Sequence, residues 1–120
     1  MRILIADDNA LIRAGIAEII VDNAWEVCGQ ASNGAETLAQ TRALRPDLVL
    51  LDVSMPGTNG LKIAATIKQE MPSVKVVIVS QHAFDQVLGD VKQEWADGFV
   101  DKGHLGRDLG PTITRILANG

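Results

Sequence analysis

Five short apolar runs alternate along this chain with five segments of helical period. The runs are Arg2–Ala6, Glu26–Ala31, Leu48–Leu51, Lys75–Val79 and Gly98–Asp101. Several are apolar almost throughout, as strands buried on both faces should be. Between them lie stripes at three- and four-residue spacing. Leu11, Ile12, Ile16, Ile19 and Ile20 make one, and Gly60, Ile63, Ala64, Ile67 and Met71 another. Phe84, Val87, Leu88, Val91 and Trp95 make a third, while Ala35, Leu38 and Ala39 are weaker. The last stripe, Leu105, Leu109, Ile113, Ile116 and Leu117, runs through Pro111, which lies off it. Proline removes one helical hydrogen bond and crowds the preceding turn, so a kinked helix is expected there.

Strict alternation of strand and helix with short connections implies parallel strands joined by right-handed crossovers. The expected fold class is α/β: a doubly wound, five-stranded parallel sheet in the order 2-1-3-4-5 with five helices. In such a sheet the crevice opens at the carboxyl ends of strands 1 and 3, where the order reverses. Asp7 and Asp8 follow the first run, and Asp52 closes the third. Ser80 follows the fourth run and Lys102 the fifth. Three carboxylates, a hydroxyl and an ammonium are therefore expected at one sheet edge.

Composition narrows the function classes. The 120 residues, 47% of them apolar, suit one globular domain over residues 1–120. No apolar stretch reaches the length of a membrane span, and the first residues lack a secretory signal. The net charge of −4 and the lack of a basic run argue against nucleic-acid binding by this domain. A single cysteine, Cys28, excludes an internal disulfide and fits a reducing, cytoplasmic setting. It reads as a small apolar filler in a strand.

The acidic group has its own chemistry. Carboxylates held close together raise one another's pKa, and a bound cation relieves this. All-oxygen ligands favour a hard cation, and Mg²⁺ takes one or two carboxylates plus a phosphate oxygen. Asp8 and Asp52 are the expected direct ligands, with Asp7 direct or through water and the Ser54 backbone carbonyl as a further donor. A carboxylate beside Mg²⁺ can attack phosphorus to give an acyl phosphate, with positioning and charge neutralisation doing most of the work. Asp52 is the expected nucleophile. Lys102 would pair with the phosphoryl oxygens, and the Ser80 hydroxyl and the N–H groups near Val53 and Ser54 would donate to them. Gly57 and Gly60 suit a tight turn that leaves Asp52 accessible. Taken singly these residues have ordinary readings: Asp8 or Asn9 as a helix cap, Ser80 as a strand end, Lys102 as a surface lysine. Their joint placement at strand carboxyl ends is what carries the chemistry.

On these residues the chain resembles the receiver domain of bacterial two-component response regulators, over nearly its whole length. Asp7-Asp8 resemble the acidic pair, and Leu50 to Gly60 the phosphoacceptor strand and loop. Ser80 takes the place of the switch hydroxyl, Phe99 the switch aromatic and Lys102 the lysine. The stretch from Asp8 to Gly15 is similar to the LuxR-type (NarL/FixJ) subgroup, whose receiver precedes a C-terminal helix-turn-helix domain. The resemblance implies a flavodoxin-like receiver fold and Mg²⁺-dependent phosphorylation of Asp52 by a sensor histidine kinase. It also implies movement of Ser80 and Phe99 that relays the signal to the surface of helix 4, strand 5 and helix 5. A homodimer on phosphorylation and DNA control through an output domain outside this chain are expected. Catalysis would serve only the domain's own phosphorylation and dephosphorylation.

Some positions depart from the family pattern. Gln81 would crowd the phosphate entrance, Trp95 stands where glycine is frequent, and Gly103 rather than proline follows Lys102. Asp101 shares a strand face with Phe99 and is expected to point outward. Phe84, Trp95 and Phe99 are three of the four aromatics, and part of this cluster is expected to repack on phosphorylation.

Other function classes fit less well. A small aspartyl-phosphate phosphohydrolase wants a second acid two residues after the nucleophile, where Ser54 stands. A flavin-binding module would place Asp7, Asp8 and Asn9 against the flavin phosphate. A free-standing receiver acting by docking, or a degenerate scaffold, shares the fold and differs in output.

Overall fold

The computed structural model describes residues 1–57, 59–80 and 95–119. Gln81, Phe84 and most of the predicted helix ending at Trp95 lie outside the described residues, as do Thr58 and Gly120. The strands are β1 (Arg2–Ala6), β2 (Glu26–Ala31), β3 (Leu48–Asp52), β4 (Lys75–Ser80) and β5 (Gly98–Asp101). Among the described residues the helices are α1 (Ala10–Asp22), α2 (Gly34–Leu44), α3 (Gly60–Glu70) and α4 (Leu105–Asn119). Every strand pair is parallel, and the sheet order is β2-β1-β3-β4-β5. Two strands run one residue further than expected, so Asp52 and Ser80 are strand residues rather than followers.

The two-residue alternation of the strands divides the core into two layers. Ile3, Ile5, Leu48, Leu50, Val77 and Val100 face Ile16 and Ile20 of α1 and Leu109, Ile113 and Ile116 of α4. Leu4, Ala6, Val49, Leu51, Val76 and Ile78 face Ala64 and Ile67 of α3, with Leu38 of α2 at the margin. Each fully buried Leu or Ile contributes about 1.5–3 kcal/mol, so the fold rests on the sheet faces. That leaves its carboxyl edge free to carry polar groups.

At their ends the helical stripes reach beyond the buried faces. Leu11 is 83% exposed and Leu117 is 44% exposed. Each sits in the end turn of its helix. In α2 the buried face is Gly34, Thr37 and Thr41, not Ala35 and Ala39, which are exposed. The threonine hydroxyls donate to backbone carbonyls four residues back, Thr37 to Asn33 at 2.7 Å and Thr41 to Thr37 at 2.6 Å. With their hydroxyls satisfied inside the helix, these side chains can be buried. The last helix does run through Pro111, which is exposed on its outer side.

Gly57 has φ +69°, so the loop after β3 takes a left-handed turn there. Gly60 serves a different end: it opens α3 by packing directly on Val53. A Cβ at Gly60 would lie 2.5 Å from Val53 Cα and 2.9 Å from its Cβ. Backbone cannot yield cheaply at such a contact, so Gly60→Ala should cost about 1–3 kcal/mol. Urea unfolding reads this directly, and an unchanged midpoint would contradict the packing argument.

Candidate functional site

β1 and β3 are direct neighbours, with Ala6 opposite Leu51. The next residues, Asp7 and Asp52, therefore emerge side by side at the switch point. Both are 1% exposed. The turn after β5 brings in Lys102, whose side chain is only 9% exposed. Its Nζ lies 2.9 Å from Asp7 Oδ2 and 3.0 Å from Asp52 Oδ2. Asp101 caps this turn: its Oδ1 accepts from the Gly103 N–H at 2.8 Å. Asp101 is partly exposed.

Each carboxylate is held by its own loop. Asp7 Oδ1 accepts from the Asn9 N–H at 2.8 Å, and its backbone carbonyl accepts from Arg13 at 2.6 Å. Asn9, not Asp8, caps α1, accepting from the N–H groups of Leu11 and Ile12. Asp8 stays exposed. Asp52 Oδ1 accepts twice from Ser54, from its N–H at 2.8 Å and its hydroxyl at 2.6 Å. The Val53 N–H donates to Val79 O at 3.3 Å. The Val53 and Ser54 N–H groups, expected to donate to a phosphoryl group, here have partners within the protein.

The electrostatics follow from burial and crowding. Burial pushes the Asp7 carboxyl above its ordinary value of 3.8, Asp52 adds to that, and the Asn9 N–H and Lys102 only partly offset it. For Lys102, burial opposes the charge, but Asp7 and Asp52 outweigh it and hold the ammonium above 10.5. Asp7 Oδ2 touches Lys102 without hydrogen-bond alignment, so this buried oxygen accepts no hydrogen bond from the described residues. Ligand oxygens of Asp7, Asp8 and Asp52 lie within 4.8 Å of one another. A buried anionic oxygen met only by the Lys102 ammonium among the described residues, beside two further carboxylates, fits a hard divalent cation such as Mg²⁺.

Ser80 ends β4 and is 4% exposed. Val79 pairs with Asp52, which puts Ser80 one residue beyond it on the adjoining strand. Phe99 pairs with Ile78 and packs, half-buried with Trp95, against the α2–α3 layer. The structure thus gathers Asp7, Asp8, Asp52 and Lys102, with Ser80 on the next strand. Sequence reasoning missed Arg13 and the Ser54 hydroxyl. The first was traceable, because helical side chains lean toward the N-terminus and Arg13 sits one turn inside α1. The second was traceable as an aspartate contact two residues on.

Residues 3–113 match the family model described as the response regulator receiver domain. A response regulator, GacA of Pseudomonas viridiflava, is 38% identical over 104 residues, covering 86% of this chain and 49% of its own. The chain spans about half the length of the curated relatives it matches. A LuxR-family two-component response regulator from Aurantimonas superposes with TM-score 0.90 at 26% identity, over 98% of this chain and 85% of the other. TrrA of Thermotoga maritima, solved with Mg²⁺ and BeF, superposes with TM-score 0.85 at 30% identity, over 96% and 97%. Among the described residues no helix is long and apolar enough to cross a membrane.

Proposed function

Because the chain belongs to the receiver-domain family of response regulators, with LuxR-type relatives, we propose that it is a switch thrown by phosphorylation of Asp52. The observation that carries this is the contact of Lys102 with both Asp7 and Asp52, beside Asp8, at the switch point of the sheet. Asp52 attacks phosphorus, a P–O bond forms, and the P–N bond to a phosphohistidine of a sensor histidine kinase breaks. Lys102 leaves Asp52 for a phosphoryl oxygen and stays in the pocket as its counter-charge. The Ser80 hydroxyl donates to the same group from β4. Asp7, Asp8, Asp52 and the Ser54 carbonyl would hold Mg²⁺, which supplies charge neutralisation for the transfer. TrrA, a relative by fold, was solved with that ion and a fluoride of beryllium, which supports the reading.

Phe99 lies on β5, the strand that pairs with the strand of Ser80, and reports its movement to the surface of β5 and α4. The domain spans residues 1–120 and processes only its own phosphoryl group, so it is not an enzyme with a released substrate product. It works in the cytoplasm, dimerises when phosphorylated, and acts on DNA through a C-terminal helix-turn-helix domain rather than by itself. The roughly double length of its relatives and the LuxR-type neighbour support that output. The test is incubation with acetyl phosphate and Mg²⁺ followed by intact-mass measurement. Gain of one phosphoryl group that requires Asp52 is the expected result. No gain at saturating Mg²⁺ would end the proposal.

A further inference from the structure

We propose that Arg13, aimed by Gln30, is a positioning residue that holds Asp7 and Asp8 in place for a divalent cation; this rests on the reading of Asp7, Asp8 and Asp52 as the Mg²⁺ site. The polar groups of Asp7 are pinned on several sides. Its N–H donates to Ala31 O at 3.0 Å, its Oδ1 accepts from the Asn9 N–H at 2.8 Å, and its carbonyl accepts from Arg13 Nη1 at 2.6 Å. Its Oδ2 meets only the Lys102 ammonium among the described residues and is the oxygen left for the cation. Of the three pins, Arg13 supplies the one that comes from a side chain.

The carbonyl that Arg13 holds belongs to the peptide joining Asp7 to Asp8. A peptide is planar, so holding its oxygen holds the plane from which both acids project. A guanidinium donating over 2.6 Å makes a strong, charge-assisted contact. Arg13 is itself aimed from β2, where Gln30 Oε1 accepts from its Nε at 3.1 Å. The Gln30 backbone carbonyl in turn accepts from Gln40 of α2 at 2.7 Å. Arg13 acts on a cation in two opposed ways. Its positive charge repels Mg²⁺, so on charge alone its removal would tighten binding. Its hold on the peptide keeps the ligands converged, so on position its removal would weaken binding. A side chain that orients a metal ligand is worth about 10- to 100-fold in affinity. The guanidinium is partly exposed, so salt and water screen its charge, and position wins.

The experiment titrates Mg²⁺ alone into the protein at neutral pH and reads Kd by calorimetry, with urea midpoints taken without the ion. Arg13→Met keeps an apolar stem on α1 but no donor, and it should bind Mg²⁺ about tenfold more weakly than wild type. Gln30→Val should weaken binding by less. The double variant should bind no more weakly than Arg13→Met, because both changes release the same hold. If Arg13→Met binds Mg²⁺ as tightly as wild type, or more tightly, the inference is overturned while the cation reading stands. A lower urea midpoint beside that unchanged Kd would make Arg13 a stabiliser of the fold only. Losses that add up in the double variant mean that Gln30 does not act through Arg13, and they overturn the inference too. Should Arg13→Met fail to fold, Gln30→Val decides alone, and an unchanged Kd in it is again contrary. A wild type that binds no Mg²⁺ overturns both readings.

Discussion

Asp52→Asn should gain no phosphoryl group from acetyl phosphate or from a phosphorylated histidine kinase, where the wild type gains one. The amide has the carboxylate's shape and still offers Ser54 an acceptor, but it has no anionic oxygen to form the acyl phosphate. The loss should be complete on the timescale in which wild type is fully modified. Lys102→Ala should behave differently. It removes the counter-charge but leaves the nucleophile, so the rate should fall by about 10²- to 10³-fold, as when one preorganised donor is removed. The pair of variants separates nucleophile from stabiliser. Asp52→Asn should also keep its urea midpoint at or above wild type, because it relieves one of three crowded negative charges. Phosphoryl gain at full rate in Asp52→Asn would move the acceptor to another residue.

The sheet could be read from sequence because its strands are buried on both faces, and Leu48 to Leu51 or Val76 to Val79 have no polar position to confuse the pattern. Fixing the strand order then fixed which acids meet, so Asp7 and Asp52 were legible as neighbours. Helix faces were harder. Thr37 and Thr41 look polar, yet they are buried because each hydroxyl finds a carbonyl within its own helix. Leu11 looks like core, yet in the first turn of α1 it meets solvent. In the site, residue types foretold the cluster but not its resting hydrogen bonds. That Ser54 donates twice to Asp52 is a matter of local turn geometry, which residue types alone do not give. Further on, Gly57 is left-handed and Gly60 packs on Val53.

The crowded acids also make the site a source of instability that its ligand should remove, and Asp7→Asn tests this by a reversal of order. Without Mg²⁺ at pH 7, Asp7→Asn should be more stable than wild type by about 1 kcal/mol, the scale of a buried polar group left poorly matched. That corresponds to about 3–6 °C in Tm. The sign follows from Asp7, whose folded value lies above 3.8. A raised acid binds protons more readily in the folded state, so wild-type stability falls as pH rises between the unfolded and folded values. The variant's advantage should therefore be full above the folded value and vanish below 3.8. Lys102 does not contribute in this range, because its raised value protects stability below 10.5 and loses it only above. The depressed values of Glu36, Glu70 and Asp108 give slopes of the opposite sign, but these are common to both proteins and cancel in the difference. Adding Mg²⁺ should reverse the order. At a hundred times its Kd, the ion stabilises wild type by about 2.7 kcal/mol, whereas Asp7→Asn lacks the buried oxygen that accepts it and should gain far less. Melting curves for the two proteins, with and without Mg²⁺ at pH 7, should therefore cross, and parallel curves would show that Asp7 neither carries the strain nor meets the ion.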